Sequence, residues 1–249
     1  MNLYYEVSGN GKPIVFIHSG GADLREWTYL APLLSQRYQA ITYDGRGAGK
    51  SPDPTGDVSC VEDVKSLLDH LEIKKATVVG RSMGGQIATD FALEYPERVD
   101  KLILLAPALT GFPYSDQFIE YMNSITAAAP DIDQMIEVSQ SAPLYRVVQA
   151  SPQRELTEKM LRHHIQRTFN WPSFELIWPE PPAFERLAEL KPDTLFLIGT
   201  EESADNLRVK EYFRECTNAQ IISISGADHM LTLTHPHKLY QQMTKFMER

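Results

Sequence analysis

The stretch Gly80-Arg81-Ser82-Met83-Gly84, "GRSMG", decides how this chain is read. It closes the apolar run Ala76–Gly80, which has the character of a buried strand, and opens a helical spacing from Ser82 to Tyr95 that stops near Pro96. The pattern G-x-S-x-G arises easily by chance. Between a strand and a helix it predicts a sharp turn that pushes a serine Oγ beyond the edge of a sheet. Glycines two before and two after the serine let strand and helix crowd together, and Gly85 adds to this. The first N–H groups of the helix, with its positive dipole end, then face any negative charge that develops beside Ser82.

Outward from this turn, the period of the apolar residues keeps switching. Leu3–Val7, Pro13–His18, Ala40–Tyr43, Lys101–Ala106, Thr194–Gly199 and Gln220–Ser225 read as further strands. Helical spacing covers Leu24–Gln36 and Cys60–Leu71, and returns between the later strands and at the C-terminus. Such alternation predicts an α/β fold, a mostly parallel, doubly wound sheet of about seven strands with helices on both faces. The alternation fails once, between Pro107 and Pro192, where only helical patterns and the proline-rich "NWPSFELIWPEPP" occur. The expected organisation is a core of residues 1–106 and 191–249 with a helical cap, residues 107–190, inserted after the strand near Leu105 and folded over the strand ends.

The 249 residues, 43% of them hydrophobic, suit one large domain with such an insertion. A net charge of −9, with no basic grouping longer than Lys74-Lys75 or Arg162-His163-His164, argues against a nucleic-acid partner. Cys60 and Cys216 make neither a disulfide framework nor a metal-ligand spacing. The N-terminus lacks a basic segment followed by an apolar one, and no window approaches about 18 uncharged apolar residues. A cytoplasmic protein without a membrane partner is expected.

A second glycine-rich stretch, Asp44–Ser51 or "DGRGAGKS", looks like a phosphate-binding loop and is not one. G-x-x-x-x-G-K-[ST] counted back from Gly49 requires a glycine at position 44, where Asp44 stands. The Pro52-Asp53-Pro54 that follows also resists the helix such a loop opens. The glycines need another explanation.

A serine nucleophile needs a base, and the candidate among the 7 histidines is His229 in "SGADHM". It follows the strand Gln220–Ser225 and leaves the same edge of the sheet as Ser82. His70 lies inside a helix, His163 and His164 lie in the insertion, His235 and His237 flank a proline, and His18 closes an earlier strand. No carboxylate or thiolate joins His229, His235 and His237 at ligand spacing, so no metal is expected. An acid must fix the tautomer of the base. Glu201, Glu202 and Asp205 compete for that role in the loop after Gly199.

In chain order, "FIHSGG", "DGRGAGKS", "GRSMGG", "LIGTEES" and "GADHM" each resemble a block of the capped α/β-hydrolase superfamily, over nearly the whole chain. The resemblance implies a catalytic triad of Ser82, His229 and an acid whose usual position falls on Glu202, with Asp205 as the alternative and Glu201 behind it. It implies an oxyanion hole formed by the N–H groups of Gly20 and Met83, and a structural role for "DGRGAGKS", in which Gly45, Gly47 and Gly49 serve a tight turn that Asp44 and Arg46 hold by hydrogen bonds. Four departures stand out. Ser19 replaces a usual glycine, Arg81 precedes the nucleophile, the acid position holds Glu rather than Asp, and the chain starts at what resembles the family's second strand.

The implied activity is hydrolysis of a carboxylic ester, thioester or lactone through an acyl-enzyme on Ser82, without a cofactor. The expected partner is a small molecule with an apolar acyl group, under a roof supplied by Phe112, Tyr114, Phe118, Tyr121, Met122, Trp171 and Trp178. The same triad supports carbon–carbon bond hydrolysis or cofactor-free perhydrolysis, and relatives of this fold also serve as ligand receptors.

Overall fold

The computed structural model describes residues 1–249. The strands are β1 (Tyr5–Ser8), β2 (Pro13–Ile17), β3 (Gln39–Tyr43), β4 (Gly56–Val58), β5 (Ala76–Arg81), β6 (Val99–Leu105), β7 (Phe174–Leu176), β8 (Asp193–Gly199) and β9 (Gln220–Ile224). The helices are α1 (Ala31–Leu34), α2 (Cys60–His70), α3 (Met83–Glu94), α4 (Asp116–Ala127), α5 (Ile132–Gln140) and α6 (Arg146–Gln149). They continue as α7 (Arg154–Thr168), α8 (Ala183–Arg186), α9 (Ala204–Cys216), α10 (Leu231–Thr234) and α11 (Pro236–Met247).

Seven strands form one sheet in the order β1-β3-β2-β5-β6-β8-β9. Only β1 is antiparallel, pairing Tyr5 with Tyr43. The parallel members are apolar along their length because both faces are covered. Ile14, Val15 and Phe16 of β2 and Leu102–Leu105 of β6 are fully buried. α3 packs along β5 and β6 beside α2, while α1 and α11 pack together near β3 and β8. α2 forms where the apolar spacing puts it, with Val61, Val64, Leu67 and Leu68 inward and Ser59 accepting from the Glu62 N–H at its start. No helix is long and apolar enough to cross a membrane.

Two expectations need correction. The helix over Leu24–Gln36 is broken into a 3-10 turn, Leu24–Trp27, and the single turn α1. Pro32 has no N–H to continue a helix, and the Glu26 side chain is drawn inward to the Ser19 N–H at 2.8 Å. The segment between β6 and β8 is not wholly helical either. Its "FEL" forms β7, which pairs in parallel with β4, itself absent from the sequence reading. The β4–β7 pair is short and two-stranded, so it leaves little periodic signal.

The inserted helices α4, α5 and α7 share a small core of Met135, Ile136 and Ile165, separate from the main one. A second cluster joins the insertion to the sheet domain through Ala22, Val148, Met160, Met230 and Leu233. α7 also grips the turn after β3, where Arg167 donates to the carbonyl oxygens of Gly49 (2.7 Å) and Ser51 (2.8 Å). That turn is held from within by Asp44, which accepts from Leu24 N and Lys50 N at 2.8 Å each. Arg46 makes a two-pronged pair with Asp63. The glycines of "DGRGAGKS" thus build a docking ledge for α7.

Candidate active site

Ligands of open parallel sheets gather at the carboxyl ends of the strands. At that edge β5 ends on Arg81, α3 begins on Met83, and Ser82 between them has φ 51° and ψ −120°. A non-glycine residue in this region costs about 1–3 kcal/mol and persists only where its surroundings impose it. Here they do. Ser82 N–H donates to Leu105 O at 3.1 Å, and Ser82 O accepts from Gly85 N (2.9 Å) and Ala108 N (3.0 Å). A Cβ on Gly84 would run into the carbonyl oxygens of Ile17 and His18, and one on Gly80 into the backbone of Gly84. The glycines are demanded by this close approach of strand and helix.

His229 leaves the loop after β9, and Glu202 the loop after β8. Glu202 Oε1 lies 2.7 Å from His229 Nδ1, with the carboxylate side chain fully buried. Its Oε2 accepts from Ser203 N at 3.2 Å and from Asn206 Nδ2. Burial alone would raise this carboxyl, but His229 and the donated hydrogen bonds hold it below the ordinary glutamate value. The neighbouring carboxylates are engaged elsewhere. Asp205 accepts from Ser115 N (3.1 Å) and Ser115 Oγ (2.5 Å) and pairs with Arg208, and Glu201 pairs with Arg146.

The insertion clamps the histidine loop from above. His229 N–H donates to Leu144 O at 3.0 Å, and buried Asp228 accepts from Val148 N at 2.7 Å. The Tyr145 ring stands edge-on to His229, with centroids 6.1 Å apart. Ser82, His229, Gly20 and Met83 all line one cavity of about 480 Å³. The N–H groups of Gly20 and Met83 donate to no protein acceptor.

Arg81, an odd neighbour for a nucleophile in sequence, lines the cavity but commits its guanidinium to protein partners. Its guanidinium pairs with Glu26, donates to Ser19 Oγ, and donates to the His229 carbonyl at 3.0 Å. Glu26 is 0% exposed, and burial pulls the guanidinium down to about 10. One charge pair thereby joins the loop carrying Gly20, the strand carrying Ser82 and the loop carrying His229. Sequence reading missed Glu26, although the buried cation at Arg81 required such a partner. Asn206 was missed too, and its only sequence signal is its position one helical turn after Glu202.

Three of the remaining histidines are engaged elsewhere. His18 Nε2 accepts from Gly45 N at 2.9 Å, His163 meets Gly49 O at 3.1 Å, and His70 meets Tyr5. Of the expected roof residues, Tyr114, Phe118, Tyr121 and Met122 line the cavity. Phe112 and Trp178 instead pack against the main core.

The sequence profile of the α/β hydrolase fold matches residues 12–236. This chain belongs to the α/β-hydrolase fold family. It is 35% identical over 117 residues, 44% of its length, to 2-hydroxy-6-oxo-6-phenylhexa-2,4-dienoate hydrolase of Comamonas testosteroni. It is 26% identical over 99% of its length to the dihydrolipoyllysine-residue acetyltransferase component of the acetoin cleaving system of Pseudomonas putida. The matched stretches span 41% and 66% of those proteins' own lengths. Among solved structures, a hydrolase from Pseudomonas aeruginosa superposes with a TM-score of 0.81 at 23% identity, over 99% of this chain and 94% of that one.

Proposed function

We propose that this α/β-hydrolase is a serine hydrolase that cleaves a carboxylic ester, thioester or lactone through an acyl-enzyme on Ser82. The observation that carries the reading is the 2.7 Å contact of buried Glu202 with His229 Nδ1, in the cavity that Ser82 lines from its strained turn. Glu202 holds the imidazole with Nδ1 protonated, which leaves Nε2 to accept the Ser82 proton. Ser82 Oγ attacks the carbonyl carbon, and the free N–H groups of Gly20 and Met83 stabilise the tetrahedral oxyanion. The imidazolium returns its proton to the leaving oxygen or sulfur. Water, deprotonated by the same histidine, then releases the acid. The residues between β6 and β8 act as the cap, closing the cavity with α4, α5 and α7.

Phe118, Met122, Ile125, Met135 and Leu161 in the cavity wall favour an apolar acyl group. Both cysteines are free, which suits a reducing, cytoplasmic setting. Carbon–carbon bond hydrolysis is the second reading, favoured by the Comamonas relative, whose named substrate carries a ketone and a carboxylate but no ester. A carboxylate calls for a cation, and the cavity's only arginine or lysine, Arg81, is committed to Glu26. That favours the neutral ester.

The test is intact-mass analysis after incubation with a fluorophosphonate, on wild type and Ser82→Ala. One adduct on wild type alone supports an activated Ser82. An equal adduct on Ser82→Ala, or none on folded wild type, overturns the reading.

A further inference from the structure

Behind the loop Ser19–Ala22 lies a second cavity of about 210 Å³ that the mechanism above does not use. It sits beneath the ledge after β3, between β4, β7 and the start of α2, and its walls include Val58, Cys60, Ile87, Trp171, Phe174 and Leu176. The two cavities share Ser19, Gly20, Gly21, Ala22, Met83 and His164. They therefore flank the same pair of N–H groups, those of Gly20 and Met83.

The partition between them is its least anchored part. Met83 is an unbranched, soft side chain lying over Gly20, where a Cβ would sit 3.5 Å from its sulfur. The His164 ring makes no protein hydrogen bond, and its Nδ1 is buried without a partner. Burial brings its imidazole down to about 4, so it stands neutral between the chambers.

The chamber carries no free charge. Arg46 and Asp63 neutralise each other through Nη2–Oδ1 at 2.7 Å. His18 is occupied on both nitrogens, by Ser19 O and Gly45 N, and burial pushes the Cys60 thiol up to about 11. A charged occupant would find no free counter-charge here. Size narrows the class further, because an apolar cavity of about 150 Å³ holds a benzene molecule.

We propose that this chamber is a second substrate subsite, taking a neutral aryl group attached either to the scissile carbonyl carbon or to the leaving oxygen. A carbonyl held at Gly20 and Met83 has two substituents, and the fold offers a chamber on each side of that point. The larger cavity takes one substituent and the aryl group turns past Met83 and His164 into the smaller one. This inference rests on the ester-hydrolase reading for its catalytic meaning and on the cavity alone for its binding.

The test fills the chamber at positions remote from Ser82, with Val58→Phe and, because Val58 is buried, independently with Leu176→Trp at the half-exposed rim. In wild type and variants, kcat/KM is measured for methyl benzoate, phenyl acetate and methyl acetate. Each aryl rate is divided by the methyl acetate rate, and comparing ratios between proteins cancels intrinsic reactivity. A folded filling variant is expected to lower one of the two ratios by about tenfold. Both ratios staying within about twofold of wild type in both variants overturns the subsite. Fluorobenzene binding, followed by 19F NMR, supplies a readout that needs no turnover. Saturable binding to wild type that is lost in a folded filling variant supports the subsite even where the fluorophosphonate finds no activated serine. Absence of binding to wild type counts against the chamber even where Ser82 is labelled.

Discussion

Glu202 Oε1 meets His229 Nδ1 at 2.7 Å, while Asp205, one turn along, meets Ser115 instead. Two carboxylates of one loop thus have separable tasks. Glu202→Gln is expected to lower kcat by about a thousandfold or more with KM little changed, because the neutral amide no longer imposes the tautomer or stabilises the imidazolium. Asp205→Asn should leave kcat within about threefold and instead cost about 1–2 kcal/mol of stability through weakened bonds to Ser115 and Arg208. Steady-state kinetics beside urea unfolding separates the two, and the opposite ranking would move the acid to Asp205.

The buried Arg81–Glu26 pair gives a different signature. Arg81→Met strands a carboxylate that is 0% exposed and should cost about 3–5 kcal/mol. Glu26→Met with Arg81→Met should recover most of that stability, because both desolvation penalties disappear. Activity should not recover with it, since Ser19 and the His229 carbonyl lose the guanidinium that positions them. A double variant with full kcat would mean that the pair only stabilises the fold.

The turn at Ser82 leaves no room for a side chain at Gly84. Gly84→Ala presses a Cβ on the backbone oxygens of Ile17 and His18, which belong to a central strand and its end and cannot step aside. The expected result is a loss of about 3 kcal/mol or more together with slower fluorophosphonate labelling of any folded fraction. An unchanged melting temperature and labelling rate would show that the close approach is not essential.

Much of this was legible in the sequence because it rests on local pattern. The seven strands of the main sheet announce themselves as apolar runs, and "GRSMG" and "GADHM" sit at their ends. What escaped depends on distant contact. β4 and β7 are three residues each and exist only by pairing across the insertion. Glu26 reads as a polar helix position until Arg81, 55 residues later, is seen to need it. Choosing among Glu201, Glu202 and Asp205 likewise depends on which one meets His229, and spacing alone gives no such direction.

One buried acid outside the site gives the protein a pH dependence of its own. Asp90, in the middle of α3, is 1% exposed; Thr110 donates to its Oδ2, and Oδ1 has no partner. Burial, aided by Glu94, raises its carboxyl to about 6 despite the Thr110 bond and Arg186. In the unfolded chain the value is about 3.9. Between those values the folded state holds a proton that the unfolded state has released, so stability falls as pH rises from about 4 to about 6 and is not regained above. The rise corresponds to about 2–3 kcal/mol of lost stability at neutral pH. Asp90→Asn mimics the protonated form, keeping an acceptor for Thr110 and removing the charge. Urea unfolding should therefore find Asp90→Asn more stable than wild type by about 2–3 kcal/mol at pH 8, with the gap closing toward pH 4. A gap independent of pH would mean that the gain comes from packing, and that Asp90 is ionised in the fold throughout.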